Sequence, residues 1–318
     1  MGITLDFERP LVELRQQLEG LEKEAADEAT DEVKVRRDAV AAELRRRAQE
    51  IYADLNRWQK VQVARYQRRP QTLDYAKAVF TEFVELHGDR AFADDKAIVG
   101  GPARLDGRVV MLVGHQRGHD TKEAIERNHG QPHPEGFRKA LRLFRLAEKF
   151  GMPLLTFLDS SGASPGLEDE ERGQAWALAD NIAALGELRV PVIASVIGEG
   201  GSGGSLALGV ADRLLMQEHS IFSVATPEAA ASILWKDSKH APEAAEALKL
   251  TAPDLLGLEV ADRIVKEPPG GAHADPAAAA EALRLALLEE LQALEGVPLE
   301  RLLAERYARY RRIGTFYE

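Results

Sequence analysis

Two stretches decide the fold: Pro153-Leu154-Leu155-Thr156-Phe157-Leu158, which runs into Asp159-Ser160-Ser161-Gly162-Ala163-Ser164-Pro165-Gly166, and Pro191-Val192-Ile193-Ala194-Ser195-Val196-Ile197, which runs into Gly198-Glu199-Gly200-Gly201-Ser202-Gly203-Gly204-Ser205. Each is an apolar run of strand length that breaks into a loop of glycine and serine. Helical patterns surround them. Pro134 opens an amphipathic helix stopped at Gly151, a second helix spans about Glu170 to Leu188, and a short small-residue helix follows Gly204. Strands apolar on both faces, alternating with helices, predict α/β layers with a largely parallel sheet.

Working outward, Ala97–Leu105 and Arg108–His115 flank Asp106-Gly107 and read as a β-hairpin. Leu214–Gln217, Ile221–Val224 and Ala261–Val265 are further strand-like runs, and the helix at Pro276–Leu294 is expected to pack back on the core. Thr72 is placed to cap a helix reaching about Leu86, and Gln116–His133 reads as a polar loop. The first 70 residues differ. Leu11, Leu14, Leu18 and Leu21 form one apolar stripe, and Val33, Val40, Leu44, Ala48, Ile51 and Leu55 a second, with a turn over Ala25–Asp31. Residues 1–70 therefore read as a helical hairpin arm, lying on the body or serving subunit association, and residues 71–318 as one α/β core.

The chain has 318 residues with 41 Lys plus Arg against 52 Asp plus Glu, a net charge of −11. That length buries a proper core, and the acidic balance disfavours general nucleic-acid binding. There is no cysteine, so disulfides, thiolate nucleophiles and Cys-ligated zinc are excluded. No apolar run approaches the roughly 20 residues of a membrane span. The start, Met1 to Asp6, lacks the pattern of a signal peptide, and a cytoplasmic protein is expected.

The chemistry is expected where the two strands end, because parallel neighbours aim their C-terminal loops at one cleft. Glycine this dense reads as backbone that must approach something closely, and a helix start aims its N–H groups outward at an anion. Short motifs leave several readings open. Gly198-x-Gly200-x-x-Gly203 fits a dinucleotide fingerprint with Glu218 as ribose acid, although it usually opens a first βαβ unit. Gly200-x-Ser202-x-Gly204 fits a nucleophile elbow with Asp262 and His273 downstream, although Ser202 falls some residues past the apparent strand end. A P-loop fails, because no Lys follows the last glycine. His115, His119, His129 and His133 match no metal-binding spacing, and the acids Glu168–Glu171 suit a helix start.

The sequence resembles the alpha subunits of bacterial acetyl-coenzyme A carboxylase carboxyltransferase over nearly its whole length. The resemblance rests on Leu73–Tyr75, His87–Arg90, Asp94–Gly101, Gly114–Gln116, Thr121–Glu123, Pro134–Gly136 with Arg138–Arg142, Glu171–Gln174, Val196–Gly204, Ala231–Lys236 and Pro268 with Gly270–His273. It implies a crotonase-like fold, ββα units in a superhelix of two sheets. It also implies a beta subunit carrying its own zinc ribbon in an α2β2 heterotetramer, with biotin carboxylase in the larger complex. The implied reaction moves a carboxyl group from carboxybiotin, borne by the biotin carboxyl carrier protein, to acetyl-CoA, giving malonyl-CoA, with no metal on this chain. Gly203 and Gly204 match the oxyanion-hole glycines, with Gly162 and Ala163 facing the same pocket; Gly200, Gly201, Ser202 and Ser164 are the implied substrate contacts. Where the family commonly reads Asp-Thr-Pro-Gly-Ala-Tyr-Pro-Gly, this chain has Ser160, Ser161 and Ser164, a change expected to loosen the loop. The competing reading is a stand-alone crotonase-type acyl-CoA hydratase or hydrolase, for which Glu199 is the loop carboxylate best placed as acid–base.

Overall fold

The computed structural model describes residues 5–27 and 30–314. The Met1–Thr4 start, and Glu28 and Ala29 of the expected turn, lie outside them. The N-terminal helices are α1 (Arg9–Asp27), α2 (Asp31–Ala53), α3 (Arg57–Ala64) and α4 (Thr72–Val79). The hairpin β1 (Ile98–Leu105) and β2 (Arg108–His115) leads through α5 (Thr121–Glu126) and α6 (Pro134–Phe150) to β3 (Leu154–Ser160). Next come α7 (Leu167–Glu171), α8 (Gln174–Glu187), β4 (Val192–Gly201), α9 (Ser202–Gly209), β5 (Arg213–Gln217) and β6 (Ile221–Ser223). The chain closes with α10 (Pro227–Trp235), α11 (Ala241–Leu248), α12 (Ala252–Gly257), β7 (Arg263–Val265), α13 (Pro276–Leu294) and α14 (Leu299–Arg312).

The sheet order is β1-β2-β3-β4-β5-β7, antiparallel only between β1 and β2 among these neighbours. The seven strands form one hydrogen-bonded sheet that forks at β4, which pairs with β5 over Ile193–Val196 and with β6 over Glu199–Gly201. Strand alternation divides the core between two faces. Leu154, Leu158, Val192 and Val196 meet Phe137 and Phe144 of α6 and Leu185 of α8. Leu155, Phe157, Ile193 and Ile197 meet Tyr75 of α4 and Leu283 and Leu287 of α13. Burial of each such side chain contributes about 1.5–3 kcal/mol.

Three expected elements change. The helix from Thr72 ends at Val79, not near Leu86, because the following segment pairs with β1: Thr81 bridges Arg104, and the N–H groups of Val84 and Leu86 donate to Pro102 O and Gly100 O. Thr72 is inside that helix, and its hydroxyl donates to His115 O. The helix expected over Glu170–Leu188 is two helices, α7 and α8, broken at Gly173 with φ of +80°. The loop Gln116–His133 contains α5, capped by Asp120.

In the N-terminal region, α1 and α2 form the hairpin, with Leu11, Leu21, Val33 and Ala48 buried. Its base closes on Glu8, which accepts from Tyr52 OH (3.1 Å) and Arg15 (2.6 Å). Residues 57–70 leave the hairpin and join the body: Val61 and Ala64 of α3 pack with Ile221, Ala245 and Leu250.

Candidate active site at the ends of two parallel strands

Strands β3 and β4 run parallel from Leu154↔Val192 to Leu158↔Val196, slip register, and pair again at Ser160↔Gly200. The structure thus brings the two glycine-bearing segments side by side. Strand β4 continues to Gly201, four residues past the Ile197 end expected from hydropathy, so the glycine segment begins as strand and turns into α9 at Ser202.

That pairing explains most of the glycines, for a reason other than ligand approach. A Cβ on Gly198 would collide with the Asp159 carboxylate, and one on Gly201 with the Ser161 carbonyl. On Gly200 it would lie 2.6 Å from the Phe222 ring, and on Gly204 2.6 Å from both Ala163 N and Gly162 C. Four of the five glycines therefore let protein approach protein. Gly203 is the exception: a Cβ there meets only Leu178 Cδ1, at an ordinary 3.6 Å.

The backbone donors follow from this packing. The N–H of Gly201 is taken by Ser205 Oγ at 2.9 Å, and that of Gly162 by Ser160 Oγ at 3.1 Å. Ser160 Oγ also donates to Gly162 O at 2.8 Å. The N–H groups of Gly203 and Gly204 lie in the first turn of α9, where no intrahelical acceptor exists. Ala163 N sits against Gly204, and no acceptor is seen for it among the described residues. Gly162 thus shapes the loop, with φ of +149°, while Ala163, Gly203 and Gly204 leave donors free. Such a group of N–H donors at a helix start stabilises a developing oxyanion.

Behind the donors stands a charge network that the sequence did not reveal. Asp159 Oδ1 accepts from Glu199 N and from Arg117 Nη1, both at 3.0 Å. Arg117 also donates to Arg65 O. Arg65 grips Glu199 with two bonds of 2.9 and 2.7 Å and reaches Glu228 at 2.7 Å. Burial would raise the Glu228 carboxyl, but Arg65 outweighs it and holds the carboxyl below its usual range. Arg69, fully buried, donates to Ile197 O (2.6 Å), Gln217 (2.8 Å) and Glu267 (2.6 and 2.8 Å). Desolvation works to raise Glu267, yet the Arg69 charge prevails and holds it at about 2. Arg65, Arg117, His129, Ser161 and Glu199 line a polar cleft of about 250 Å³, to which the two glycine-bearing segments contribute Ser161 and Glu199. Arg65 and Arg69 come from the segment assigned to the arm, where arginines four apart read as solvated surface.

The remaining candidates separate. His115 is buried beneath the loops, its Nδ1 3.4 Å from Asp159 N, and burial pushes its imidazole down to about 4. His119 pairs with Asp74 and His133 with Asp169, both at 2.7 Å, while His129 stands at the cleft. Ser202, at φ of +54°, does occupy the turn itself, which corrects the expectation that it lies beyond the strand. Its supposed partners are elsewhere. Asp262 binds Leu214 N, level with Ala194, eight residues or about 26 Å of strand from Ser202. His273 stacks on Tyr66 near the arm base, and Glu218 pairs with Lys266. Glu199, committed to Arg65, is not free as a general base.

Ser164 is buried, donates Oγ to Asp169 at 2.5 Å and N–H to Pro132 O at 3.0 Å, and is not among the residues lining that cleft. Nor is the serine-bearing loop loosened, since Ser160 bonds both ends of Gly162 and Ser161 Oγ accepts from Gln131 at 3.0 Å.

A family model described as acetyl co-enzyme A carboxylase carboxyltransferase-like matches residues 4–314. The chain belongs to this family. Curated relatives called acetyl-coenzyme A carboxylase carboxyl transferase subunit alpha include that of Stenotrophomonas maltophilia (strain K279a), 52% identical over 312 residues, 98% of each chain. That of Thermus thermophilus is 52% identical over 317 residues, 99% of this chain and all of the relative. Among solved structures, a Pseudomonas malonate decarboxylase hetero-tetramer in complex with coenzyme A matches at TM-score 0.59 and 21% identity, over 76% of this chain and 97% of that one. The beta subunit of Pseudomonas aeruginosa geranyl-CoA carboxylase matches at TM-score 0.56 and 19% identity, over 83% of this chain and 47% of that one. These confirm the crotonase-like α/β fold.

Proposed function

We propose that this chain is the alpha half of a biotin-dependent acetyl-CoA carboxyltransferase, and that Ala163, Gly203 and Gly204 form its oxyanion cradle. The observation that carries the site is the meeting of three free N–H donors where the loop after β3 packs on the start of α9. Carboxybiotin supplies the carboxyl group and, once that group has left, the base for the acetyl α-proton. The N–C bond to the carboxyl breaks, a C–C bond to the acetyl α-carbon forms, and the proton ends on biotin, giving malonyl-CoA. Negative charge develops on the ureido oxygen and on the thioester oxygen, and the cradle stabilises one of them. Losing one such donor costs roughly 3–4 kcal/mol. Gly200, Gly201 and Ser202 hold the turn that aims the donors, and the polar cleft at Arg117 and Ser161 faces the carrier-borne substrate.

A beta subunit, carrying its own zinc, completes the site in an α2β2 assembly, which works with the biotin carboxyl carrier protein and biotin carboxylase in the cytoplasm. Supporting a covering partner, the elements around the cradle expose Trp176 on α8, Leu206 on α9, Val224 after β6 and Ile233 on α10. Such apolar surface marks an interaction face. The hairpin, whose base meets the body where Tyr52 packs edge-on against His219, extends that association.

The test is reconstitution. The purified chain alone is expected to be inert, and with its beta partner to transfer carboxyl between malonyl-CoA and free biotin. Hydratase or hydrolase turnover by this chain alone would overturn the reading. So would labelling of Ser202 by a fluorophosphonate, since its elbow-like turn has no histidine to activate it.

A further inference from the structure

A groove runs along α6 toward its C-terminal end. It has a volume of about 410 Å³ and is lined by Asp89, Arg90, Arg138, Arg142, Arg145 and Lys149. Its one carboxylate is already committed: Asp89 accepts from the N–H groups of Ala91, Phe92 and Ala93 and from Arg138 Nε at 2.9 Å. Arg138 is further held by Glu135 at 2.7 Å. Arg142 donates only to the carbonyls of Gly88 and His87, both at 3.1 Å. Among the described residues no carboxylate lies within ion-pair distance of Arg90, Arg142, Arg145 or Lys149. Glu148, the acid nearest them on the helix, is turned to Arg189 N at 3.0 Å. Burial, and next the neighbouring Arg90 charge, push the Arg142 guanidinium below its ordinary value.

Four cations without a direct ion-pair partner in one concavity, of which Arg142 is only partly offset by the charges of Asp94 and Asp89, are out of keeping with a chain of net charge −11. Like charges held together repel, and the repulsion is relieved when a multiply charged anion enters. Guanidinium forks favour phosphate oxygens in particular. The floor is apolar, formed by Leu141 and Leu146, and so suits a ring or sugar beside the charge. Pro134, at the other end of α6, adjoins the cradle loop through the Ser164–Pro132 bond. Arg145 is eleven residues along the helix, about 16 Å away, so the groove is not the cradle.

We propose that the groove between the 87–92 segment and α6 binds a nucleotide through two or more phosphate groups. Two sources share that chemistry: the nucleotide end of a coenzyme A thioester, and a free nucleotide. The measurement is titration calorimetry on the full chain in physiological salt, with inorganic pyrophosphate, ADP and adenosine 3′,5′-bisphosphate as probes. Because it needs no turnover, its failure is separable from failure of the carboxyltransferase reading.

Saturable binding that weakens as salt rises is expected, with at least a tenfold loss in Arg145→Glu/Lys149→Glu. Both side chains are exposed, so this variant is expected to keep the parent melting temperature. Arg90→Glu, on the facing wall, gives an independent loss of similar size. Preference for adenosine 3′,5′-bisphosphate, with competition against malonyl-CoA in the assembled enzyme, identifies the coenzyme source. Equal binding of ADP without competition identifies a free nucleotide. Absence of saturable binding by all three probes, or binding unchanged by both charge reversals, would overturn the proposal.

Discussion

Replacing Gly204 by alanine adds one methyl group at the most constrained point of the cradle. Its Cβ would stand 2.6 Å from Ala163 N, 2.6 Å from Gly162 C and 3.1 Å from Gly162 Cα. All three are backbone atoms, so no rotamer change relieves the overlap. Ordinary carbon contacts lie near 3.5–4.0 Å, so the first turn of α9 or the 162–163 segment must retreat by about 1 Å. Those are the two pieces that carry the free donors. Displacement of that size costs about 1–3 kcal/mol of stability as overpacking and, by spoiling at least one oxyanion bond, 10²–10³-fold in kcat. Gly203→Ala is the matched control. Its methyl group meets Leu178 at 3.6 Å, its N–H is retained, and helix propensity favours alanine by up to about 1 kcal/mol. The assay is malonyl-CoA:biotin carboxyl transfer by each variant with the beta partner, alongside thermal unfolding of each chain. Gly204→Ala is expected to lose at least 100-fold in kcat, and Gly203→Ala to stay within about tenfold with undiminished stability. Equal losses, or near-normal turnover by Gly204→Ala, would refute the assignment of steric and donor roles.

Two further outcomes test the supporting structure. Arg69→Met leaves Glu267 buried without its partner and is expected to cost about 3–5 kcal/mol in urea unfolding. Arg69→Met/Glu267→Leu is expected to recover a large part of that loss, since the uncompensated charge is removed with its partner. His115 supplies an acid limb. An unfolded histidine takes up its proton near pH 6.5, but the buried imidazole resists to about 4. Stability is therefore expected to fall as pH drops through that window, by about 3 kcal/mol at most from this group, and His115→Phe is expected to flatten the slope.

Some of this was legible before any coordinates. The β1–β2 hairpin, the amphipathic α6 and the two apolar strands were visible, because hydrophobic periodicity and the Asp106-Gly107 turn are local signals. The extended segment after Val79 was not. Phe80, Phe83, Val84 and Leu86 are spaced as a helix would space them, and the edge of β1 captured their backbone instead. The strand end at Gly201 escapes because dense glycine reads as loop, and the break at Gly173 because a single glycine is tolerated within a helical pattern.

The site divides along the same line. Sequence alone determined that two glycine-bearing segments follow adjacent strands, and its family motifs determined which reaction they serve. Only the tertiary structure decided what each glycine is for: four make room for the neighbouring backbone, a side chain or a ring, and Gly203 remains open. Only it showed that Arg65, Arg69 and Arg117 are committed to buried or half-buried carboxylates and carbonyls, that Glu199 is unavailable as a base, and that Ser164 turns inward. Periodicity in sequence reports which face of an element is buried. It does not report what lies across the gap, because the ends of β3 and β4, about 40 residues apart in the chain, meet only when the strands pair.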